Sequence, residues 1–394
     1  MLATVGRGAC GKRCPINLHK EGGGITRIWG VWQKIVTVEN CRAAVRKEAQ
    51  TKRCKRNGFA LDLILREDYW TKYVFDRITS GLRLGGFIEF DTMEHGKLRH
   101  VRCYEPKDAM CVRACVQQME PRAYARMSRH SYCPVPDRGG LLLATELSRR
   151  IRRAENVCRI WNKGHPNARN KWRAWVSEYD MAGYYESLGY SLMRDTMWRL
   201  FGEPEVRNLI EVFLGHRDGL PIGAGYSAMV ANMVLAPMDT LVEGHKGCLG
   251  YARHLDNSAY ITKAKGAAHE IREAVEEWCA ERGLTAHEWA HYPAGHHAVE
   301  RGGWRIEGDR ILPGRKVMRH IERLMSRKWD ELDYRQMLAL ASLYGYIKNS
   351  DAQGLKRKWR DGKYSQIFKA VGITAKEAEG GVLTINPEKE RNIP

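Results

Sequence analysis

An α+β fold is predicted by three features of the sequence. Residues 86–90 and 98–104 have strand-like alternation around a turn at 94–97, so we expect them to pair as a β-hairpin. Two further strand-like runs end at isolated aspartates, Asp180 and Asp256, and a Gly/Pro-rich loop that opens an apolar helix lies between them. Beyond residue 314 the helical period predicts three basic helices, at 315–329, 334–347 and 351–368.

The remaining elements are assigned in chain order. Helical spacing at 40–55 predicts a helix with Asn40 as a weak cap. It recurs at 108–123, where Pro121 is expected to end or kink the helix, and at 141–154. The other predicted elements are a strand at 176–181, helices at 188–201, 227–241 and 266–282, and two strands at 247–251 and 258–261 around a tight turn.

The charge balance favours a polyanionic partner. Lys and Arg number 65 against 46 Asp and Glu, a formal net charge of +19, and contact with phosphates is favourable because it releases their counterions. A basic surface without such a partner is the alternative. Residues 1–57 concentrate this charge and are predicted to form a basic N-terminal arm or extension, either mobile or clamping RNA.

The cysteine spacing argues against a structural zinc site, and the hydropathy argues against a membrane-spanning protein. The 11 cysteines have no regular spacing, and Cys10 and Cys14 with His19 lack the second pair that a structural zinc site needs, so free reduced thiols are expected. No apolar run approaches the roughly 18 residues of a membrane span. Residues 1–15 contain no apolar signal core, so we expect a cytoplasmic protein that does not contact a membrane.

Asp180 and Asp256 are candidate metal ligands. Carboxylates at a strand end and at a hairpin tip, from distant parts of the chain, can converge on two divalent ions, with the backbone carbonyl of Met181 as a further oxygen ligand. This arrangement is typical of a two-metal nucleotidyl transferase. Taken alone, Asp180 is equally typical of a helix N-cap, and the pair Asp256 and Asn257 is equally typical of a plain turn.

Segments 179–185, 219–232 and 251–257, in this order, resemble the prokaryotic reverse transcriptases, the group that contains group II intron, retron, diversity-generating and defence-associated enzymes. The resemblance covers about residues 85–370, since 119–121, 131–132 and 138–139 fit the family's upstream pattern and 302–306 resembles its primer-grip hairpin. It implies a right-hand polymerase fold with fingers at 58–175, a palm built on an antiparallel sheet at 176–300, and a primer grip and helical thumb at 301–394.

The resemblance also implies roles for single residues. Asp180 and Asp256 become catalytic ligands of two Mg²⁺ ions, with Mn²⁺ as an alternative, and Asn257 stands where the family has a second Asp. Tyr185 becomes the steric gate that excludes a ribose 2′-hydroxyl, although a core aromatic is its other interpretation. Ile222 stands where many relatives have Gln, which is most like the diversity-generating branch or else simple drift.

The nucleotide site is expected to include basic side chains of the hairpin region. The implied dNTP-binding residues are Arg99, Arg102, Lys107, Tyr185, Ile222 and Gly223, although the three basic ones are otherwise explained as solvated surface charges. The family's fourth motif commonly has a Lys as general acid, and the matching residues 283–292 contain none. His287 or His291 is a candidate in its place, with an ordinary surface histidine as the alternative.

The predicted function is RNA-directed DNA polymerase activity that extends a primer with dNTPs, in a retroelement, diversity-generating or anti-phage defence system. Its expected partners are an RNA template, which we expect to be a dedicated structured RNA, and a DNA or RNA primer. Whether an accessory protein also binds is an open question. Sequence-independent backbone contacts are predicted for Arg305, Lys316, Arg319, Arg323, Lys356, Arg357 and Lys358. The chain departs from the family's pattern at three points: Asn257, Ala109 in place of the usual Arg or Lys, and the lack of a Lys in 283–292. These departures leave two alternatives. One is a catalytically weakened polymerase-like scaffold that binds a structured RNA, and the other is template-independent or protein-primed DNA synthesis.

Overall fold

The computed structural model describes residues 26–53, 58–94, 97–169 and 171–373. Helices and strands both contribute, as the sequence predicts. The N-terminal part contains five helices and one hairpin: α1 (Trp32–Ile35), α2 (Val38–Arg53), α3 (Gly58–Leu65), α4 (Glu67–Thr79), β1 (Phe87–Glu94), β2 (Lys97–Tyr104) and α5 (Pro106–Tyr124). Pro121 lies inside α5, which continues to Tyr124 and is therefore not ended by the proline.

Residues 26–53, which belong to the predicted arm or extension at 1–57, pack into the fold. Helix α2 packs against α3, α4 and α5, and Cys41 and Val45 are fully buried in the main core. Arg46 and Lys47 of α2 are exposed, and Arg46 pairs with Glu67 at 2.8 Å. Asn40 does not act as a cap, because its side-chain amide donates to the carbonyls of Ile35 and Ala114. Residues 1–25, with Cys10, Cys14 and His19, lie outside the described residues.

The central sheet has four antiparallel strands in the order β4–β5–β3–β6. Strand β3 pairs with β5 and β6, which are distant along the chain, whereas β4 and β5 are consecutive and form a hairpin. The elements of this part are α6 (Gly140–Gly164), β3 (Trp175–Met181), α7 (Tyr184–Ser187), α8 (Tyr190–Leu200), α9 (Pro204–Leu214), α10 (Ser227–Glu243), β4 (Cys248–His254), β5 (Asn257–Thr262), α11 (Lys265–Ala280) and β6 (Ala286–Pro293).

A three-stranded sheet and a helical bundle follow. Their elements are β7 (Val299–Arg301), β8 (Trp304–Glu307), β9 (Arg310–Pro313), α12 (Arg315–Leu324), a 3₁₀ turn (Trp329–Glu331), α13 (Tyr334–Asn349), α14 (Gln353–Asp361) and α15 (Gln366–Val371). The helix predicted at 351–368 is therefore two helices. Asp351 precedes the first of them, and its backbone amide and carboxylate pair with the backbone of Ile311 in β9. The chain then turns after α14 at Lys363, whose φ is +54°.

Three hydrophobic clusters hold these elements together. The main one joins the N-terminal helices to α8–α11 and to one face of the central sheet, through residues such as Tyr179 and Tyr260. The second covers the opposite face and unites α6, the central sheet and Trp304 of β8. The third is the C-terminal bundle and begins at Leu312. The buried residues of the main cluster run from Ile28 to Ala286, those of the second from Tyr132 to Ile306, and those of the third from Leu312 to Ile373.

None of the helices in the described ranges combines the length and the apolar character that a membrane crossing requires. The cysteines of these ranges are free, as the sequence predicts, and Cys41, Cys111 and Cys115 are buried.

Candidate functional site

The two aspartates meet at one end of the central sheet. Asp180 is the penultimate residue of β3, and Asp256 lies in the two-residue turn between β4 and β5. Antiparallel pairing of β3 with β5, with Tyr179 opposite Ser258, brings the end of β3 beside that turn. Burial raises the pKa of Asp180, and the negative charge of Asp256 raises it further. The two carboxylates are therefore close enough to repel each other.

The turn that carries Asp256 has an unusual backbone. Leu255 has a φ of +58°, a conformation that costs energy for a bulky side chain and is found where the surroundings hold it in place. The guanidinium of Arg253 does so here by donating to the carbonyl oxygen of Leu255 at 2.8 Å. Asn257 follows the turn, and its side-chain amide donates to Oδ1 of Asp256 at 3.1 Å. Asn257, which stands where the family has a second Asp, is thus a neutral hydrogen-bond donor to Asp256.

Arg253 is the centre of a buried polar network. Its side chain is fully buried and donates to both carboxylate oxygens of Asp239, at 2.6 and 2.7 Å. It also donates to Oδ1 of Asn232 at 2.8 Å and to Oγ of Ser131 at 3.0 Å. These bonds join α10 and the loop before α6 to the turn. Arg253 and Asp239 are functional residues that were not predicted from the sequence, although an Arg within an apolar strand itself indicates a buried acidic partner.

Tyr184 and Tyr185 have different surroundings. Tyr184 is buried, and its hydroxyl donates to the carbonyl of Ala231 at 2.6 Å, so it is a core residue. Tyr185, the predicted steric gate, is partly exposed. Burial, followed by the charge of Asp256, raises its pKa to about 12. Tyr185 therefore lies within electrostatic range of the aspartate turn, and its backbone carbonyl accepts from the amide of Leu220 at 2.7 Å.

The Gly/Pro-rich loop joins the hairpin to this site. The carbonyl of Ile222 accepts from the amide of Arg102 in β2 at 2.8 Å. Gly223 has a φ of +109°, and a Cβ there would lie 2.9 Å from Cγ1 of Val101, so only glycine fits. Of the residues predicted to bind the nucleotide, Arg102, Ile222 and Gly223 therefore lie together.

The other two basic candidates are placed differently. The β1–β2 register puts Arg99 opposite Thr92, on the face away from Arg102, as the odd spacing predicts. The ammonium of Lys107 lies over the ring of Trp70 in α4, at 6.0 Å from its centroid. Lys107 is therefore directed toward the N-terminal helices, and the contacts of the loop do not include it.

The two histidine candidates are now distinguished. His287 in β6 pairs with Asp180 in β3, so it borders the aspartates. His291 lies opposite Ser177, three residues further back along β3, and its ring bonds to the Ser177 hydroxyl at 2.8 Å. Burial, with the positive charges around it, lowers the pKa of His291 to about 4. Position therefore favours His287 over His291 as a proton donor at this end of the sheet.

The β7–β8 hairpin is held against the aspartate turn. Gly302 and Gly303 form its tip with φ values of +58° and +79°, as a tight two-residue hairpin requires. A Cβ on Gly302 would lie 3.3 Å from the ring of His254, the last residue of β4. Arg301 pairs with Glu178 of β3 at 3.1 Å. The hairpin predicted as the primer grip therefore contacts the two strands that carry the aspartates.

The predicted nucleic-acid residues fall into two groups. Arg305 and Arg319 line a cavity of about 460 Å³ together with Arg315. Lys316, Arg319 and Arg323 are exposed along α12. The second group is on α14, where the residues are Lys356, Arg357 and Lys358. Helix α13 packs against both α12 and α14, and the α14 residues do not line the cavity.

The donor set fits a divalent cation. Two partly exposed carboxylates that raise each other's energy gain from a positive ion between them. Within the described ranges, however, no cluster of three or more His, Cys, Asp or Glu side chains has metal-binding geometry. Further ligands would have to be water, substrate oxygens or backbone, such as the predicted carbonyl of Met181. The amide of Met181 donates to Oδ1 of Asp180 at 2.9 Å.

Replacing Asp180 by Asn is expected to raise the melting temperature at neutral pH without added metal. The folded-state pKa of Asp180 lies above its ordinary value, so the charged form destabilises the fold. The advantage of the variant is therefore present at pH 7 and disappears as the pH falls toward the unfolded pKa of about 3.9. Thermal unfolding of both proteins between these limits measures it. An advantage that grew as the pH fell would contradict the assigned repulsion.

Comparisons with known proteins give structural matches only. No protein-family model and no curated protein matches the chain. Apo telomerase from Candida tropicalis is similar in structure, with a TM-score of 0.47, 11% sequence identity, and coverage of 76% of this chain and 60% of that chain. Telomerase from Candida albicans in complex with the TWJ fragment of telomeric RNA has a TM-score of 0.44 and 9% identity, over 80% of this chain and 61% of that chain. The chain thus spans about three fifths of each telomerase chain.

Proposed function

We propose that this chain is an RNA-directed DNA polymerase that extends a primer with dNTPs. The observation that carries the proposal is the convergence of Asp180 and Asp256, at the end of β3 and in the β4–β5 turn, where their charges interact. Tyr185 and the β7–β8 hairpin border the same point. Carboxylates in this arrangement suit two Mg²⁺ ions, which supply activation of a primer hydroxyl and stabilisation of the leaving pyrophosphate in such enzymes.

Each neighbouring residue has a task in this proposal. The ring of Tyr185 borders the sugar of the incoming nucleotide and excludes a 2′-hydroxyl. Ile222 and Gly223 form the floor beside the base, and the aliphatic side chain of Ile222 offers it no hydrogen bond, so base selection is loose. Arg102 pairs with Glu89 at 3.0 Å and exchanges this exposed partner for the triphosphate. His287 donates the proton to pyrophosphate.

The polymerase regions are assigned to the fold in the same proposal. The fingers comprise the N-terminal helices, the β1–β2 hairpin and α5, and the palm comprises the central sheet with α8–α11. The β7–β9 sheet is the primer grip, and α12–α15 are the thumb. The basic face of α12 and the arginine-lined cavity beside it support contact with a primer–template duplex, whose RNA strand is a dedicated template. A retroelement, a diversity-generating system and anti-phage defence would all use this activity.

A template-dependence assay tests the function. The purified chain is incubated with Mg²⁺, dNTPs and a DNA primer annealed to a defined RNA, and the product is sequenced. DNA complementary to the RNA supports the proposal. Product formed without RNA, or attached covalently to the chain, would favour template-independent or protein-primed synthesis instead.

A catalytically weakened scaffold that binds a structured RNA is the second candidate. It is favoured by Asn257, which supplies a neutral amide where a second Asp would supply a negative charge. It is also favoured because no group of three or more His, Cys, Asp or Glu side chains in the described ranges could hold a metal ion. Tight RNA binding with no incorporation in either Mg²⁺ or Mn²⁺ would support the scaffold and overturn the polymerase.

An Asn257→Asp variant is expected to need about tenfold less Mg²⁺ for half-maximal incorporation. The added charge strengthens cation binding because oxygen sites are tuned by their number of charged ligands. The measurement is primer extension as a function of Mg²⁺ concentration. Asn257→Ala is the matched neutral control and should not lower the requirement. Equal Mg²⁺ requirements of the parent and the Asp variant would mean that residue 257 does not influence the metal site.

A further inference from the structure

Helix α6 has a basic outer face that the proposed catalytic cleft does not use. Its buried side, including Leu147 and Ile151, packs against β4 and the β7–β9 sheet. Positions separated by 3, 4, 10 and 14 residues share one side of a helix. The exposed basic residues have this spacing and are Arg149, Arg152, Arg153, Arg159 and Lys163. They form a stripe about 21 Å long, since a helix rises 1.5 Å per residue.

An arginine-lined pocket adjoins this stripe. The cavity has a volume of about 260 Å³ and is lined by Arg129, His130, Arg149, Arg150, Arg153 and Leu249. Glu146 accounts for the ion pairs of Arg149 and Arg150, at 2.6 and 3.6 Å. Throughout the described ranges, Arg129 and Arg153 have no acidic partner within ion-pair distance. The lining of the pocket contains no acidic residue, so the pocket has a net positive charge.

The stripe leads away from the aspartates. Helix α6 begins at Gly140, where a Cβ would meet the backbone of Gly302 beside the aspartate turn. Its middle lies against the start of β4, because a Cβ on Gly250 would be 3.2 Å from the Cβ of Arg150. Leu249, which lines the pocket, precedes Asp256 by seven residues. Five of these residue steps lie in β4, and at about 3.3 Å per residue they span roughly 17 Å.

The far end of α6 is held rigidly. Trp161 stacks on Trp172 with ring centroids 4.4 Å apart. The side chain of Asn162 both donates to the carbonyl of Trp172, at 2.7 Å, and accepts from its amide, at 2.8 Å. The ammonium of Lys263 covers the ring of Trp172 at 4.8 Å. The helix is thus fixed relative to β3, so its charges are preorganised along a line.

We propose that the α6 stripe and the arginine pocket bind the phosphate backbone of an RNA strand outside the catalytic cleft. A line of cations with an unneutralised pocket matches a chain of phosphates, which arginine binds through two parallel hydrogen bonds. The choice of a polyanion rests on this charge alone, whereas the choice of RNA also rests on the proposed function. The surface would hold the part of the RNA that is not being copied.

The test compares two triple variants. Arg129→Gln/Arg152→Gln/Arg153→Gln removes three charges from this surface, and Lys34→Gln/Lys72→Gln/Arg199→Gln removes three exposed charges from α1, α4 and α8. Affinity for a labelled single-stranded RNA is measured in EDTA without dNTPs, across a range of salt concentrations. The result is then independent of catalysis, so it can fail while polymerase activity is present, or succeed while activity is absent.

The surface variant should bind a long RNA roughly tenfold or more weakly at physiological salt. Its slope of log affinity against log salt should become shallower by about 2, because each lost phosphate contact on a single strand contributes about 0.7. The control variant should keep the parental slope, and unchanged melting temperatures verify that both variants are folded. Equal slopes and affinities for the two variants would overturn the proposal.

Discussion

Replacing either Asp180 or Asp256 by Asn will lower primer extension by roughly 100- to 1,000-fold in Mg²⁺. A metal-binding carboxylate contributes several kcal/mol to the stabilisation of charge in the transition state, and each 1.36 kcal/mol is a tenfold change in rate. Asp180 lies on β3 and Asp256 in the β4–β5 turn, yet their charges interact, so loss of either should disable the same site. Single-turnover extension on an RNA template measures the effect.

Unfolding cannot explain such a loss in Asp180→Asn, since this variant is expected to be more thermostable than the parent at neutral pH. Glu288→Gln is the matched control. It removes another carboxylate whose charge raises the pKa of Asp180, but one that is exposed and outside the proposed machinery. Its extension rate should be within a few-fold of the parent. Retention of full activity in Asp180→Asn or Asp256→Asn would contradict the assignment of the catalytic site.

The largest effect on stability is expected from the buried pair of Arg253 and Asp239. Arg253→Met should lower the free energy of unfolding by about 3–5 kcal/mol, because it leaves the carboxylate of Asp239 buried without a counter-charge. Asp239→Asn should have an effect of similar size for the same reason. Urea unfolding of the two variants measures both.

Burial decides this magnitude, and an exposed pair provides the comparison. Lys72 and Asp76 form an ion pair at 2.8 Å on the surface of α4, and Lys72→Met should change stability by less than about 1 kcal/mol. The double variant Arg253→Met/Asp239→Asn removes both charges and should be more stable than the sum of the two single changes predicts. Strictly additive effects, or a stable Arg253→Met protein, would contradict a central role of the pair.

Several elements could be predicted because their determinants are local. The helix α11, predicted at 266–282, and the β1–β2 hairpin have clear periods and turn residues, and the structure has both nearly as expected. The same is true of the strands that end at Asp180 and Asp256. Spacing alone also put Arg99 and Arg102 on opposite faces. Periodicity depends on neighbours within a few residues, which the sequence displays directly.

What could not be predicted involves partners that are distant in the sequence. The charge of residues 26–53 suggested an arm or extension, and it did not show that their apolar residues pack against α5 far along the chain. The helix predicted at 351–368 begins at Gln353 instead, since Asp351 pairs with Ile311 of β9, and the turn at Lys363 divides it into α14 and α15. The spacing of 283–292 did not distinguish His287 from His291, and only the register of β6 against β3 does so.

The sequence by itself determined that two lone aspartates end strand-like segments, with a glycine-rich loop between them. Only the tertiary structure decided that they meet, because pairing of β3 with β5 brings residues from distant parts of the chain to one edge of the sheet. It also decided what holds them there, since the partners of Arg253 are Ser131, Asn232 and Asp239, on other segments. A pattern of neighbouring residues specifies an element, whereas a site depends on which elements pack together and in which register.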